Sequence, residues 1–93
     1  MHVGTLKVRL LLREARSLKD KRQVVRSIVD RLRDRFNASV AEVDAHDKHQ
    51  LVVLGVAVVA AEAGPVRAAL GQIAEALRGH PVAEFLGAEY DPV

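Results

Sequence analysis

The side chains best suited to chemistry in this sequence are basic ones that recur along one predicted helix. At about 100° per residue they fall in a narrow stripe beside its apolar face: Lys19, Arg22, Arg26 and Arg33. A row of guanidinium groups can hold successive phosphates, because each supplies paired planar donors. The alternative is an ordinary solvated surface, in which Arg26 and Asp30 form an i,i+4 pair.

Lys21 lies closer to the apolar face of this helix than the other basic residues. Lysines at such positions usually keep the stem on the core and the ammonium group in water, so we expect Lys21 to assist the contacts. Lys7 and Arg9 would extend the basic surface if the outer face of the first strand is open. The predicted nucleic-acid contacts are therefore Lys19, Lys21, Arg22, Arg26 and Arg33.

A polar loop holds a second set of reactive side chains. Four potential metal ligands occur within six residues: Asp44, His46, Asp47 and His49. They lack the regular spacing of established metal sites, and polar residues are usual in turns, so we predict no metal and no cofactor. Glu42 and Asp44 share one face of a predicted strand, but we find no nucleophile or phosphate-binding motif. We therefore predict that the protein is not an enzyme.

Length and composition are typical of one small globular domain, residues 1–93. The chain contains no cysteine, which excludes disulfides and thiolate chemistry. No secretory signal is visible, and the apolar run 51–61 is shorter than the roughly 20 residues that span a bilayer. These features predict a cytoplasmic protein without a membrane partner, and no small-molecule substrate is evident.

Charge is distributed unevenly along the chain. The first 36 residues hold 11 Lys or Arg against 4 Asp or Glu, whereas the rest hold 3 against 8. Such asymmetry indicates a basic surface for an anionic partner, or two halves that attract each other in the fold.

Hydrophobic periodicity predicts six elements in the order β-α-β-β-α-β. The first helix starts after the N-cap Ser17 and stops at Asn37 in a left-handed conformation, and the second has Gly64 as its N-cap and Pro65 in its first turn. This order predicts an α+β ferredoxin-like βαββαβ sandwich, a four-stranded antiparallel sheet with two helices on one face. The predicted strands cover 2–13, 40–44, 50–60 and 82–90, with helices from 18 to 36 and from 64 to the Gly79–Pro81 stop, and a tail at Pro92.

The third strand is apolar on both faces, although helices can cover only one of them. A second copy packed on the open face would make the protein a homodimeric interaction module. The alternative is that long side chains such as those of arginine cover the valines on the open face of the third strand. The predicted central strands contain no aromatic residue, so any RNA contact should use phosphates or shape and not base stacking.

Three stretches together resemble the YlxP-like family of small bacterial proteins, a domain of unknown function: Ser17–Arg22, Phe36–Asp44 and Leu54–Val59. The resemblance implies a ferredoxin-like fold but no activity. Members are often encoded beside translation initiation and ribosome-maturation factors, which favours ribosomal RNA or a ribosomal particle as the partner. Relatives often carry an aromatic residue near Lys48 and His49, so the loop here departs from the family pattern.

Overall fold

The structure, a computed structural model, describes residues 1–91 and confirms the predicted fold class and element order. The sheet has the strand order β2-β3-β1-β4, with every neighbouring pair antiparallel and β1 and β3 at its centre. The elements are β1 (His2–Leu11), α1 (Leu18–Arg35), β2 (Ser39–Asp44), β3 (Leu51–Ala60), α2 (Ala63–Arg78) and β4 (Glu84–Asp91).

A single apolar layer lies between both helices and one face of the sheet. On the sheet side of this layer, every second residue of β1 and β3 is buried, as expected because side chains of a strand alternate between its two faces. Helix α1 contributes Ile28 and Leu32, and α2 contributes residues spaced three and four apart, as expected of an amphipathic helix. The buried residues include Leu6, Val8, Leu10, Val52, Leu54, Val56, Val58, Val66, Leu70, Ile73 and Leu77.

Two hydrogen bonds fix the end of the loop that leads into α1. Ser17 Oγ accepts from the Asp20 N–H at 3.1 Å, which confirms the predicted N-cap. The Asp20 carboxylate in turn accepts from the Arg16 N–H at 3.0 Å. The first turn, which carries Lys19, Lys21 and Arg22, is therefore held in a defined orientation.

Two predicted helix boundaries are wrong. The chain leaves α1 at Phe36 in an extended conformation, and Ala45 is the only non-glycine residue with positive φ among residues 1–91, so Asn37 is not left-handed. Helix α2 starts after Glu62, two residues before the predicted Gly64 cap. Strand ends also shift by one or two residues, and the predicted tail at Pro92 lies outside the described residues.

A bulge in β2 breaks the alternation of its side chains. The pairing with β3 shifts register between Glu42 and Asp44. Val43 then lies over Gly55, where a Cβ would be only 2.7 Å from a Val43 methyl group. Glycine is thus required for this close approach.

None of the helices in the described part of the chain is long and apolar enough to cross a membrane.

Candidate nucleic-acid interface

The predicted basic stripe lies along the exposed side of α1 that is nearer to β2. We call its four residues the basic row: Lys19, Arg22, Arg26 and Arg33. Lys19 and Arg33 are 14 residue steps apart on the helix, or about 21 Å at 1.5 Å per step. Within residues 1–91 none of the four makes an ion pair, and the Arg26–Asp30 pair does not form. Their charges are therefore not neutralised by direct contacts inside the described chain.

Arg33 links the basic row to the neighbouring edge strand. Its Nη2 donates a 2.8 Å hydrogen bond to the Val40 carbonyl of β2. One end of the row is thereby held against β2, while Lys19, Arg22 and Arg26 remain exposed.

A shallow groove of about 450 Å³ separates α1 from β2, and we call it the α1–β2 groove. Three members of the basic row line its helical side, together with apolar surface from Val25 and Val29. Two carboxylates also border it. The complete lining is Arg22, Val25, Arg26, Val29, Asp30, Arg33, Val40, Ala41 and Glu42.

Strand β2 lies at an edge of the sheet, and two of its carbonyl groups that point away from β3 are contacted by side chains. Arg33 donates to the Val40 carbonyl, and His46 Nε2 lies 3.1 Å from the Glu42 carbonyl, so this nitrogen carries the proton. Because the N–H and C=O of a strand residue point the same way, the Val40 and Glu42 N–H groups also point away from β3. The outward carbonyls of Val40 and Glu42 are therefore already occupied by side chains of this chain.

Lys21 is not a surface residue, and the prediction that its ammonium group stays in water is wrong. The residue is 1% exposed. Its Nζ donates to the carbonyls of Ala45 and Lys48 at 2.6 and 2.7 Å and lies 2.7 Å from Glu42 Oε2. Its donors are thus directed at the β2–β3 hairpin, so Lys21 does not belong to the exposed contact surface.

Glu42 and Asp44 do not share one face of the strand, so that part of the sequence prediction is wrong. The bulge at Val43 places Glu42 on the helix side, beside Lys21, whereas Asp44 is opposite Val53 on the open face. Asp44 caps its own loop by accepting from the Ala45 N–H at 2.7 Å. Among residues 1–91, no group of three His, Cys, Asp or Glu side chains is arranged to hold a metal ion.

The open face of the sheet lies opposite the helices and carries both signs of charge. Arg9 pairs with Glu89 at 3.0 Å there, so it does not extend the basic row. Val53 is only 6% exposed although it is on this face, where Arg9 lies directly opposite it in the β1–β3 pairing. Val3 and Val59, which also face each other, are 51% and 55% exposed.

His80 is partly buried just after α2. Its Nδ1 accepts from the Val82 N–H at 3.2 Å. Burial, and then the nearby Arg31 charge, lower the pKa of the imidazole. The group therefore favours the neutral form and adds no positive charge to the basic row.

Comparison with known proteins places these features in a family. The model of "Protein of unknown function (DUF503)" matches residues 3–90. The chain is also 33% identical over 57 residues to the "Uncharacterized protein YlxP" of Bacillus subtilis (strain 168), which covers 61% of this chain and 62% of that protein. The chain therefore spans less than two thirds of that relative's length. The match over nearly every element described above shows that the chain belongs to the DUF503 family.

Proposed function

We propose that this protein is a non-catalytic, cytoplasmic RNA-binding protein that associates with ribosomal RNA or a ribosomal particle through the basic row. The observation that carries the proposal is the lack of ion pairs at Lys19, Arg22, Arg26 and Arg33 within residues 1–91. Positive groups held in a line and left without counter-charges attract a polyanion and release its counterions. A length of about 21 Å spans several phosphates of a nucleic-acid strand.

The sheet supplies little for base recognition. The strands β1 and β3 that occupy its centre carry no aromatic side chain on which a base could stack. On the open face Arg9 pairs with Glu89 and Arg13 pairs with Glu84, so these arginines already have counter-charges within the chain. RNA contact is thus expected on the helix side, through phosphates, with little dependence on base sequence.

Co-sedimentation with ribosomal particles tests the partner. The tagged protein is expected to pellet with one class of particle at low salt and to be released at raised salt, because phosphate contacts weaken as salt rises. Protein that remains folded in the supernatant at both salt concentrations would argue against a ribosomal partner.

A homodimeric interaction module is the second proposal, and it uses the open face of the sheet. Two observations favour it: the exposed pair Val3 and Val59, and a mixed row of charges that a two-fold copy could complement. The burial of Val53 by its own chain weakens it, since less apolar surface is left for a partner.

The mass in solution separates the two proposals. The dimer proposal expects twice the chain mass at micromolar concentration, and a Val59→Lys variant should return to one chain because it places a charge in the interface. An exposed Arg67→Glu variant on α2 serves as the control for a general change of surface charge. A single-chain mass for the unmodified protein would reject the dimer without affecting the RNA proposal.

A further inference from the structure

A cleft lies between α1 and α2, and we call it the α1–α2 cleft. Its volume of about 330 Å³ is at the lower end of the range for small-molecule sites. At about 100° per helical residue, Arg31 and Arg35, which line it, are on the opposite side of α1 from the basic row. We propose that this cleft binds a small molecule in which an oxyanion, a carboxylate or a phosphate, is attached to an apolar body. The inference goes beyond the proposed RNA-binding function, because the cleft contains no member of the basic row.

Two arginines one helical turn apart supply the positive charge of the cleft. Arg31 and Arg35 are exposed, and neither makes an ion pair within residues 1–91. Like charges at this i,i+4 spacing destabilise a helix, and an oxyanion bound between them would remove the repulsion. The guanidinium of Arg35 lies 5.2 Å from the centre of the Phe36 ring, a contact that restricts its position and leaves its N–H groups able to donate. Guanidinium groups match the geometry of carboxylate and phosphate oxygens.

One carboxylate, that of Asp34, also lines the cleft. It makes no ion pair with either arginine, so it does not neutralise them by direct contact within residues 1–91. Two guanidinium groups against one carboxylate leave one net positive charge. The cleft therefore favours a ligand with a negative charge over one with a positive charge.

His80 borders the cleft from the α2 side and adds a neutral donor. Its Nδ1 accepts from the Val82 N–H, so Nε2 carries the proton of the neutral ring, and Nε2 makes no hydrogen bond within residues 1–91. Burial, and then the charge of Arg31, lower the pKa of the imidazole, which places the Arg31 charge near this ring. Donors from both sides of the cleft thus border one space.

The remaining lining of the cleft is apolar. The stems of the two arginines and the half-buried Ala76 line its sides, and the core residues Leu32 and Leu77 close its bottom. Inorganic phosphate would meet the donors but leave the apolar sides in water. A ring or short chain attached to the oxyanion would cover them, which is why the proposed ligand has an apolar body.

Four small probes test the inference on the full chain. Phenyl phosphate and benzoate carry the two candidate oxyanions on the same ring, benzylamine carries that ring with a positive charge, and inorganic phosphate lacks the ring. We expect at least one ring-bearing anion to shift the Ala76 and His80 amide resonances with a dissociation constant on the order of 1 mM, and the tighter of the two identifies the oxyanion. Inorganic phosphate should bind at least about 10-fold more weakly because it buries no apolar surface, and benzylamine because its charge has the sign of the arginines.

Each contrary result overturns a stated part of the inference. Benzylamine bound as tightly as the anions overturns the role of the arginines, and inorganic phosphate bound as tightly overturns the apolar body. An absence of shifts with both ring-bearing anions, in protein that stays folded, overturns the site as a whole. None of these results concerns the basic row, which is tested with RNA.

An Arg31→Gln variant should weaken binding of the tighter anion about 10-fold, because one charged donor is lost. Arg26→Gln is the matched control, since it removes the same charge from an exposed position on the other side of α1. It should leave binding of the anion unchanged. Equal losses in the two variants would show that net charge governs binding, and would overturn the cleft as the site.

The pKa of His80 gives a readout that needs no substitution. An oxyanion bound beside Arg31 offsets the guanidinium charge and stabilises the imidazolium form, so the pKa of His80 should rise when the tighter anion is added. The other charged groups that border the same two surfaces of His80 are Asp34 and Arg35 in the cleft, and Arg13, Glu14 and Glu84 on the opposite side. Ring-proton resonances followed across pH measure the change, with sodium chloride of equal ionic strength as the control. A pKa that stays unchanged or falls at saturation with the anion would contradict the placement of the oxyanion between Arg31 and His80.

Discussion

A Lys21→Met variant is expected to lose about 3 kcal/mol or more of its free energy of unfolding, because removing one partner of a buried ion pair leaves the other uncompensated. The substitution would strand the Glu42 carboxylate and free the carbonyls of Ala45 and Lys48. Thermal unfolding should show a midpoint lower by at least about 12 °C, given about 4–8 °C per kcal/mol for a domain of this size.

Lys19 offers the matched control for this experiment, since it is an exposed lysine two residues away on the same helix. A Lys19→Met variant should change stability by no more than about 0.5 kcal/mol. A Lys21→Met/Glu42→Leu double variant should recover part of the loss, because neither charge is then left alone. Equal midpoints for Lys21→Met and the unmodified protein would contradict the role assigned to this contact.

The Lys21 contact also matters for the proposed RNA site. It ties the first turn of α1 to the loop that follows β2, so it fixes the distance between the two walls of the α1–β2 groove. Arg33 provides the second tie, to Val40. Helix α1, which carries the basic row, is thus held against β2 before any ligand binds, which reduces the entropy lost on binding.

Reversing two charges in the middle of the basic row should reduce RNA affinity by on the order of 100-fold at low salt, because two phosphate contacts are replaced by repulsion. The variant is Arg22→Glu/Arg26→Glu. Both side chains are exposed and make no ion pair within residues 1–91, so the fold should be retained. Fluorescence anisotropy with a labelled RNA measures the affinity, and circular dichroism checks the fold.

An Arg31→Glu/Arg67→Glu variant has the same net charge and is the matched control. Arg31 lies on α1 away from the basic row, and Arg67 lies on α2. We expect this variant to retain most of the affinity. An equal loss in both variants would mean that net charge, and not the position of the basic row, governs binding.

The fold could be predicted because its main signals are local. Alternation along β1, the three-and-four spacing of α2 and the Ser17 cap each depend on neighbours in the chain. The wrong predictions concern helix ends, where packing against distant parts of the chain determines the backbone conformation. Asn37 could end a helix in a left-handed conformation, yet the chain instead turns at Phe36 to enter β2.

The site could be predicted only in part, for the same reason. Helical spacing alone aligns Lys19, Arg22, Arg26 and Arg33. The position of Lys21 on the apolar side of the helix was a signal of burial, but its partners come from a loop more than 20 residues away. Nothing in the sequence indicated that Arg33 and His46 would cap the β2 carbonyls, because the bulge at Val43 is a product of strand pairing.

The most direct test of the proposed function is the salt dependence of RNA binding by the unmodified protein. With three or four phosphate contacts, a plot of log affinity against log salt should have a slope of about −2 to −3 for a single strand. The Arg22→Glu/Arg26→Glu variant should reduce that slope by more than one. A slope near zero, or no binding at low salt by folded protein, would contradict the assignment of the basic row as an RNA site.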